Sequence, residues 1–472
     1  MIKKLLRNNL LLICLLGLLT RAFFTLFLGG LYFGRENIYV DGDTAAWLNS
    51  FINLIETGSY TAVPAHEYGY FLRMPGYSFF IGIFYLITGG NLDITYPLIG
   101  WIQILLDILA IWLVYKIALK LFRSEKNALF SAALYAFYPF IIVWNPVVYS
   151  ESVSILLMLA GIYFLLYEKK YHWFYAGLFL GLGILFRPQV ALLVPIAGIF
   201  ILWFYNWKIK SFYKPVLQFA LAVVIFYGCW PISNILIHKK VVLTQDLRGA
   251  PNWNEDVIAF MQFTYSVKTE WEPQFSNILH NKEVTWPENA YFSKEDSAKL
   301  ERAVYLAKNC GSGFSYWQGY WQKPFQNDSC THEIATLFNE LRDNQIKNFP
   351  WNYYLYLPLQ NLKKAAFKNE LYNTEGVRKY ASLLFYYRTF LILCGLAGAV
   401  LMLVHRRKEW LIFLLFPVFL YLALCFGTGV QFRNIEIRYF LHADIMLLFP
   451  AAYLFYYLYK FFLRKKHESN PS

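Results

Sequence analysis

Apolar runs recur along this chain, most of them closed by a cluster of Lys or Arg, and that pattern leaves few folds open. Runs of roughly 17 to 25 residues, the length a helix needs to cross hydrocarbon, fall at 9–33, 96–118, 127–145, 148–167, 189–206, 215–237, 382–404, 410–428 and 439–461. A shorter one, WFYAGLFLGLGILF, precedes Arg187. Together they predict an all-α polytopic membrane protein of about ten transmembrane helices. Composition agrees, because a 472-residue chain with 58% hydrophobic and only 15% charged residues is too apolar for an ordinary soluble surface. The net charge of +13 would point to nucleic acid in a soluble protein. Here the Lys and Arg sit at the ends of apolar runs, as they do in cytoplasmic loops, so no nucleic-acid partner is expected.

The N-terminal MIKKLLRNNLLLICLLGLLT has the basic head and apolar stretch of a secretory signal. Apolar character continues past Arg21 and no small-x-small site closes it, which predicts a retained first span. One run, Pro75 to Gly90, is short and ends in paired glycines. If it does not cross, the clusters Lys116/Lys120/Arg123/Lys126, Lys169/Lys170, Lys208/Lys210/Lys214, Arg406/Arg407/Lys408 and Arg464/Lys465/Lys466 join Lys3/Lys4/Arg7 on one side. If it does, every later cluster is opposed to the N-terminal one. The charge rule therefore makes Pro75 to Gly90 a re-entrant or interfacial helix on the outer side, with both termini cytoplasmic.

Between the first two spans, TAAWLNSFINLIETG puts Ala45, Leu48, Phe51, Ile52 and Ile55 at helical spacing, the pattern of an amphipathic surface helix. From about 241 to 380 charges of both signs, Asn and Trp return, and SKEDSAKLERAVYLAKN and HEIATLFNELRDNQIK read as amphipathic helices. The expected division is a transmembrane module at 1–240 with a first outer loop at 34–95, a small α-rich extracytoplasmic domain at 241–380, and C-terminal transmembrane helices at 381–472. Cys310 and Cys330 lie in that outer segment and are expected to form a disulfide in an oxidising compartment.

The unusual polar residues fall on one face of this topology: Asp41, Asp43 and Arg73 in the first outer loop, Asn145, Tyr149 and Glu151 in WNPVVYSES, Arg187 in FRPQ, and Arg433, Glu436 and Arg438 in QFRNIEIRY. Ions near a bilayer cost a few kcal/mol, roughly 2.5 to 3.5 at its centre, so they tend to face cavities or partners. Converging carboxylates and arginines beside lipid point to a phosphorylated lipid. A solvated loop carboxylate is the plain alternative for Asp41, and a snorkelling side chain for Arg433. Arg21 and Asp107, inside spans 1 and 2, are expected to pair structurally.

Five segments in order resemble a known family. DGDTAAWLNSFINLIETGSY, FLRMPGYSFFIGIFYLITG, ALYAFYPFIIVWNPVVYSESVSILLMLAGIYFLL, AGLFLGLGILFRPQVALLVP and EIRYFLHADIMLLFPAAY are similar to the motifs of GT-C type membrane glycosyltransferases of the protein mannosyltransferase and aminoarabinose transferase kind. The resemblance implies a GT-C-like fold and a catalytic carboxylate at Asp43. Thr44 departs from the Glu that usually follows, and Trp47 stands where Tyr is common. Arg73-x-Pro75-Gly76-Tyr77 and Arg438-Tyr439 match two further motifs. The implied setting is a bacterial inner or cell membrane, with the site on its extracytoplasmic side.

The chemistry asks for the same residue types. A polyprenyl-phosphate sugar has a phosphate leaving group, which Arg binds bidentately; Arg73, Arg187 and Arg438 are the candidates. The acceptor hydroxyl, on a lipid, polysaccharide or protein, needs a general base, the role of Asp43, and one-step displacement inverts the anomeric centre. Asp41, Glu151, Tyr77 and Tyr439 are acceptor or supporting candidates. No GxxxxGK[ST] or GxGxxG occurs, consistent with a donor that is not a nucleotide. No cofactor is expected; a divalent ion on Asp41 and Asp43 is the less favoured reading. A lipid or polysaccharide transporter would distribute polar groups near the midplane and on both sides, and a saccharide polymerase or ligase would differ only in its donor.

Overall fold

The computed structural model describes residues 9–64, 66–167, 170–246, 248, 250, 253–267, 271–319, 328–367, 377–427 and 436–469. Arg433, the N-terminal Lys3/Lys4/Arg7 cluster and the side chains of Arg464/Lys465/Lys466 lie outside what is described. The described residues form helices and no strand. The helices before residue 241 are α1 (Asn9–Phe33), α2 (Thr44–Thr57), α3 (Pro75–Ile87), α4 (Leu92–Phe122), α5 (Glu125–Ala136), α6 (Pro139–Trp144), α7 (Glu151–Leu166), α8 (His172–Phe186), α9 (Leu193–Phe204), α10 (Ile209–Tyr227) and α11 (Cys229–His238). Five short helices follow, α12 (Glu255–Ser266), α13 (Trp271–Leu279), α14 (Lys294–Asn309), α15 (Ser312–Gln318) and α16 (Thr331–Asn348). The chain closes with α17 (Leu357–Phe367), α18 (Val377–Val404), α19 (Phe416–Phe426) and α20 (Leu441–Ser469).

Among the described residues five helical stretches are long and apolar enough to cross a membrane: Asn9–Phe33, Leu92–Phe122, Ile209–Tyr227, Leu383–Val404 and Ile437–Phe462. The chain is a multi-pass integral membrane protein. Other expected spans are shorter as helices than as apolar runs. The run 127–145 breaks between α5 and α6 because Pro139 holds Tyr138 in extended backbone. The run 215–237 divides at Gly228 into α10 and α11. The run 148–167 yields only the 16 residues of α7, since its first residues belong to the turn that carries Asn145 and Tyr149.

The segment Pro75 to Gly90 makes a 13-residue helix, about 20 Å long, one of five shorter apolar helices among the described residues. It turns through Gly89 and Gly90, both left-handed at φ 63° and 81°, where a side chain would be strained. Asn91 then caps α4 by accepting the Asp93 N–H at 3.0 Å.

Two buried ion pairs tie the helices. Arg21 and Asp107 meet at 2.6 Å, with Tyr135 donating to Asp107 at 2.5 Å, so α1, α4 and α5 are joined as expected. Arg388 on α18 and Asp444 on α20 meet at 2.6 Å, and Tyr138 and Tyr421 donate to the same carboxylate.

Helices α12 to α16 enclose a second core around Phe260, Phe263, Phe314, Ile334 and Phe338. A Cys310–Cys330 disulfide closes it. Asp256, at the start of α12, is buried and accepts the N–H groups of Val257 and Gly313 at 2.8 and 3.0 Å. Burial pushes its carboxyl up to about 6, against those hydrogen bonds. A carboxyl raised on folding binds more protons folded than unfolded, so its contribution is present below the unfolded value near 3.8 and is lost as pH rises through 6. The thermal midpoint of the full chain is therefore expected to fall between pH 4.5 and 7, on the order of 2 kcal/mol from this group, relative to Asp256→Asn. Parallel pH profiles in the two proteins would contradict this.

Candidate active site

The turn 41–43 is built by its neighbours. Thr44 N–H donates to the Asp41 carbonyl at 2.8 Å. The buried Thr44 hydroxyl accepts the Asp41 N–H at 3.0 Å and donates to the Val148 carbonyl at 3.3 Å. The residue that departs from the family pattern thus pins the turn to the loop before α7. Asp43 occupies the cap position of α2 without making a side-chain cap bond. Its carboxylate faces two arginines instead: Oδ1 accepts from Arg73 at 2.7 Å and Oδ2 from Arg438 at 2.9 Å.

Each arginine is held by more than charge. Arg73 lies over the Trp47 ring at 5.0 Å, an arrangement that stabilises a cation on an aromatic face. It reaches this position because Met74 is extended before Pro75, the first residue of α3. Gly76 then lets α3 press against α8, where a Cβ would stand 2.8 Å from the Leu185 backbone. Arg438 lies over Tyr149 at 4.5 Å and Tyr439 at 4.9 Å, and its Nε bonds Glu436. Arg187 pairs with the buried Glu151 at 2.9 Å, and Arg438 lies 3.9 Å from the same carboxylate oxygen. Asp43, Arg73, Arg438, Glu151 and Arg187 therefore form one continuous charge network.

Asp43, Trp47, Arg73, Arg187 and Tyr439 line a cavity of about 220 Å³. Trp253, Gln245 and Tyr316, from the 241–380 segment, complete its wall. Of the sequence candidates, Arg438 reaches Asp43 without lining the cavity, and Glu151, paired with Arg187, does not line it either. Tyr77 is fully buried and donates to Gln103 at 2.7 Å. Gln103 in turn donates to the Asn145 and Val147 carbonyls, so Tyr77 props the turn behind Asp43. Asp41 lies outside the cavity lining, paired with Arg35 at 3.1 Å, each about a third exposed. Glu436 was legible within QFRNIEIRY; Trp253 and Tyr316 carried no sequence signal, because only folding brings them to Asp43. Among the described residues the one His/Cys/Asp/Glu grouping spaced for a metal is Cys310, Asp328 and Cys330, and its two cysteines are joined to each other.

Residues 73–231 match the family of dolichyl-phosphate-mannose-protein mannosyltransferases. That match includes Arg73 and Arg187 but not Asp43 or Arg438. No curated protein matches the chain. Among solved structures it is similar to the archaeal oligosaccharyltransferase AglB from Archaeoglobus fulgidus in complex with an inhibitory peptide and a dolichol-phosphate, with TM-score 0.53 and 14% identity over 99% of this chain and 52% of that one. The apo crystal structure of the Archaeoglobus fulgidus oligosaccharyltransferase gives TM-score 0.51 and 13% identity over 97% of this chain and 52% of that one. This chain spans about half the length of the structures it matches. These likenesses and the family match bear out the resemblance to GT-C type membrane glycosyltransferases.

Proposed function

We propose that the protein transfers a sugar from a polyprenyl-phosphate carrier to an acceptor hydroxyl at the membrane surface, with inversion and with Asp43 as general base. The observation that carries this reading is the position of Asp43 on the cavity wall between two arginines. The chain crosses the membrane about ten times in this reading, with the cavity on the extracytoplasmic face. The donor phosphate competes with Asp43 for Arg73 and Arg438, both already aimed at one point, while Arg187 approaches from α8. Binding the donor frees the carboxylate. The acceptor oxygen then bonds to the anomeric carbon, its proton passes to Asp43, and the bond from that carbon to the phosphate oxygen breaks. The electron pair stays on the phosphate, where the guanidinium groups stabilise it. Glu151 holds Arg187 and Arg438 in place, Tyr439 and Trp47 hold the aromatic sides, and Tyr77 and Asp41 support the turn.

A cavity of about 220 Å³ lies below the roughly 300–1,000 Å³ of sites for drug-sized ligands, which favours a donor with a single sugar over one with an oligosaccharide. The test is to incubate the purified protein with polyprenyl-phosphate monosaccharides and follow release of polyprenyl phosphate with a lipid, glycan or peptide acceptor. Release with none of them while lipid or glycan crosses proteoliposomes would favour a transporter instead.

Activity is expected to persist in EDTA. Asp41 and Asp43 are each engaged by arginine, and those cations oppose a second positive ion between the carboxylates. Loss on chelation with rescue by Mg²⁺ or Mn²⁺ would make Asp41 a ligand.

A further inference from the structure

A second cavity, of about 430 Å³, opens at the end of the bundle opposite Asp43. Helix α7 gives the direction: Glu151 at its start joins the charge network, and Leu165 and Leu166 at its end line this cavity. Two basic clusters far apart in sequence meet here, Lys120 and Arg123 at the end of α4 and Arg406, Arg407 and Lys408 after α18. Each reads on its own as a topology signal; the fold makes them one rim. Glu409 is the acidic residue in the lining, and it lies 3.7 Å from Arg407. Lys408 is tied to the Trp203 carbonyl at 3.0 Å and to Asn206 at 2.8 Å. Lys120, Arg123 and Arg406 are exposed. The floor is apolar: Leu121, Leu165, Leu166 and Phe200 are buried beneath the rim.

We infer that this cavity binds the phosphate of an anionic phospholipid headgroup, with acyl chains running along the adjoining apolar helices. The cavity lies where α4, α9 and α18 end, which is the depth of a headgroup. Leu403 and Val404, just before Arg406, are 42% and 68% exposed, and they present an apolar face below the rim. Basic pockets between transmembrane helices recognise lipid phosphates by this combination of cations above and hydrocarbon below. A free phosphate would use the rim alone. This site is independent of the transfer chemistry at Asp43.

Arg123 and Arg406 also allow a clean test, because both have left-handed backbone, at φ 50° and 55°. Glycine adopts that conformation more readily than arginine, so Arg123→Gly with Arg406→Gly removes two charges without straining the fold. The full chain is reconstituted in nanodiscs of equal phosphatidylglycerol and phosphatidylcholine, released into detergent, and its retained lipids are counted by native mass spectrometry. Wild type is expected to retain phosphatidylglycerol selectively, and the double glycine variant to lose about 30-fold in that selectivity, the effect of two cations near a lipid phosphate. Arg123→Lys with Arg406→Lys should keep most of it. Equal retention of the two lipids by wild type, or unchanged selectivity in the glycine variant, would overturn the site. Displacement of the lipid by excess inorganic phosphate would overturn the lipid assignment in favour of a soluble anion.

Discussion

Asp43→Asn is expected to lower turnover by roughly 100- to 10,000-fold, the loss typical of removing a general base. Asparagine preserves the size of the side chain and one acceptor oxygen but cannot take the acceptor's proton. Donor binding is expected to survive and to equal or exceed that of wild type, because Arg73 and Arg438 no longer have a carboxylate to release before they receive the phosphate. That split, turnover lost and affinity kept, separates a base from a structural anchor. An anchor would lose protein stability and donor affinity together. Asp41→Asn serves as the internal control. Its partner is Arg35, in a pair about a third exposed, and exposed pairs contribute on the order of 0–1 kcal/mol, so activity should stay within tenfold of wild type. Near-normal turnover in Asp43→Asn with a defined donor in detergent would remove the proposed mechanism.

The second large effect is on stability. Arg388 and Asp444 are each about 1% exposed and form a closed set with Tyr138, Tyr421 and the Ala365 carbonyl. Asp444→Leu leaves a buried guanidinium without its counterion, which costs about 3–5 kcal/mol. Arg388→Met together with Asp444→Leu removes both charges and should recover most of that loss, since replacing a buried pair by apolar groups is often close to neutral. Thermal denaturation in detergent, followed by tryptophan fluorescence, distinguishes the two. If the double variant is as unstable as the single one, the packing of α18 against α20 matters more than the charge.

The all-helical, multi-pass character of the chain was legible because hydrophobic run length is a local property of the chain. The re-entrant reading of Pro75 to Gly90 rests on charge alone; as a helix the segment is 13 residues long. The pairing of Arg21 with Asp107 was legible for a related reason: two ions inside spans have few places to go. Helix breaks were harder. Pro139 stood in plain view within the run 127–145, but an apolar run does not report whether its backbone stays helical. The arginines could be named, yet their partners could not. That Arg73 and Arg438 share Asp43, and that Arg187 turns to Glu151, depends on contacts as far apart as residues 43 and 438. Tyr77 matched a motif and was read as an acceptor or supporting residue; which of the two depended on the contact of its hydroxyl with Gln103, which braces the turn. Trp253 and Tyr316 enter the cavity from a segment whose amphipathic helices pack mainly on themselves, and nothing in their local sequence marks them.

The most direct measurement of the central claim compares cells that carry the wild-type gene, a deletion and Asp43→Asn, by mass spectrometry of surface glycoconjugates and of polyprenyl-phosphate lipids. The account predicts that the deletion and Asp43→Asn cells lose the same single-sugar mass from one class of glycoconjugate and accumulate the corresponding polyprenyl-phosphate sugar. Unaltered glycoconjugates in the deletion, or Asp43→Asn cells indistinguishable from wild type at equal protein level, would contradict it.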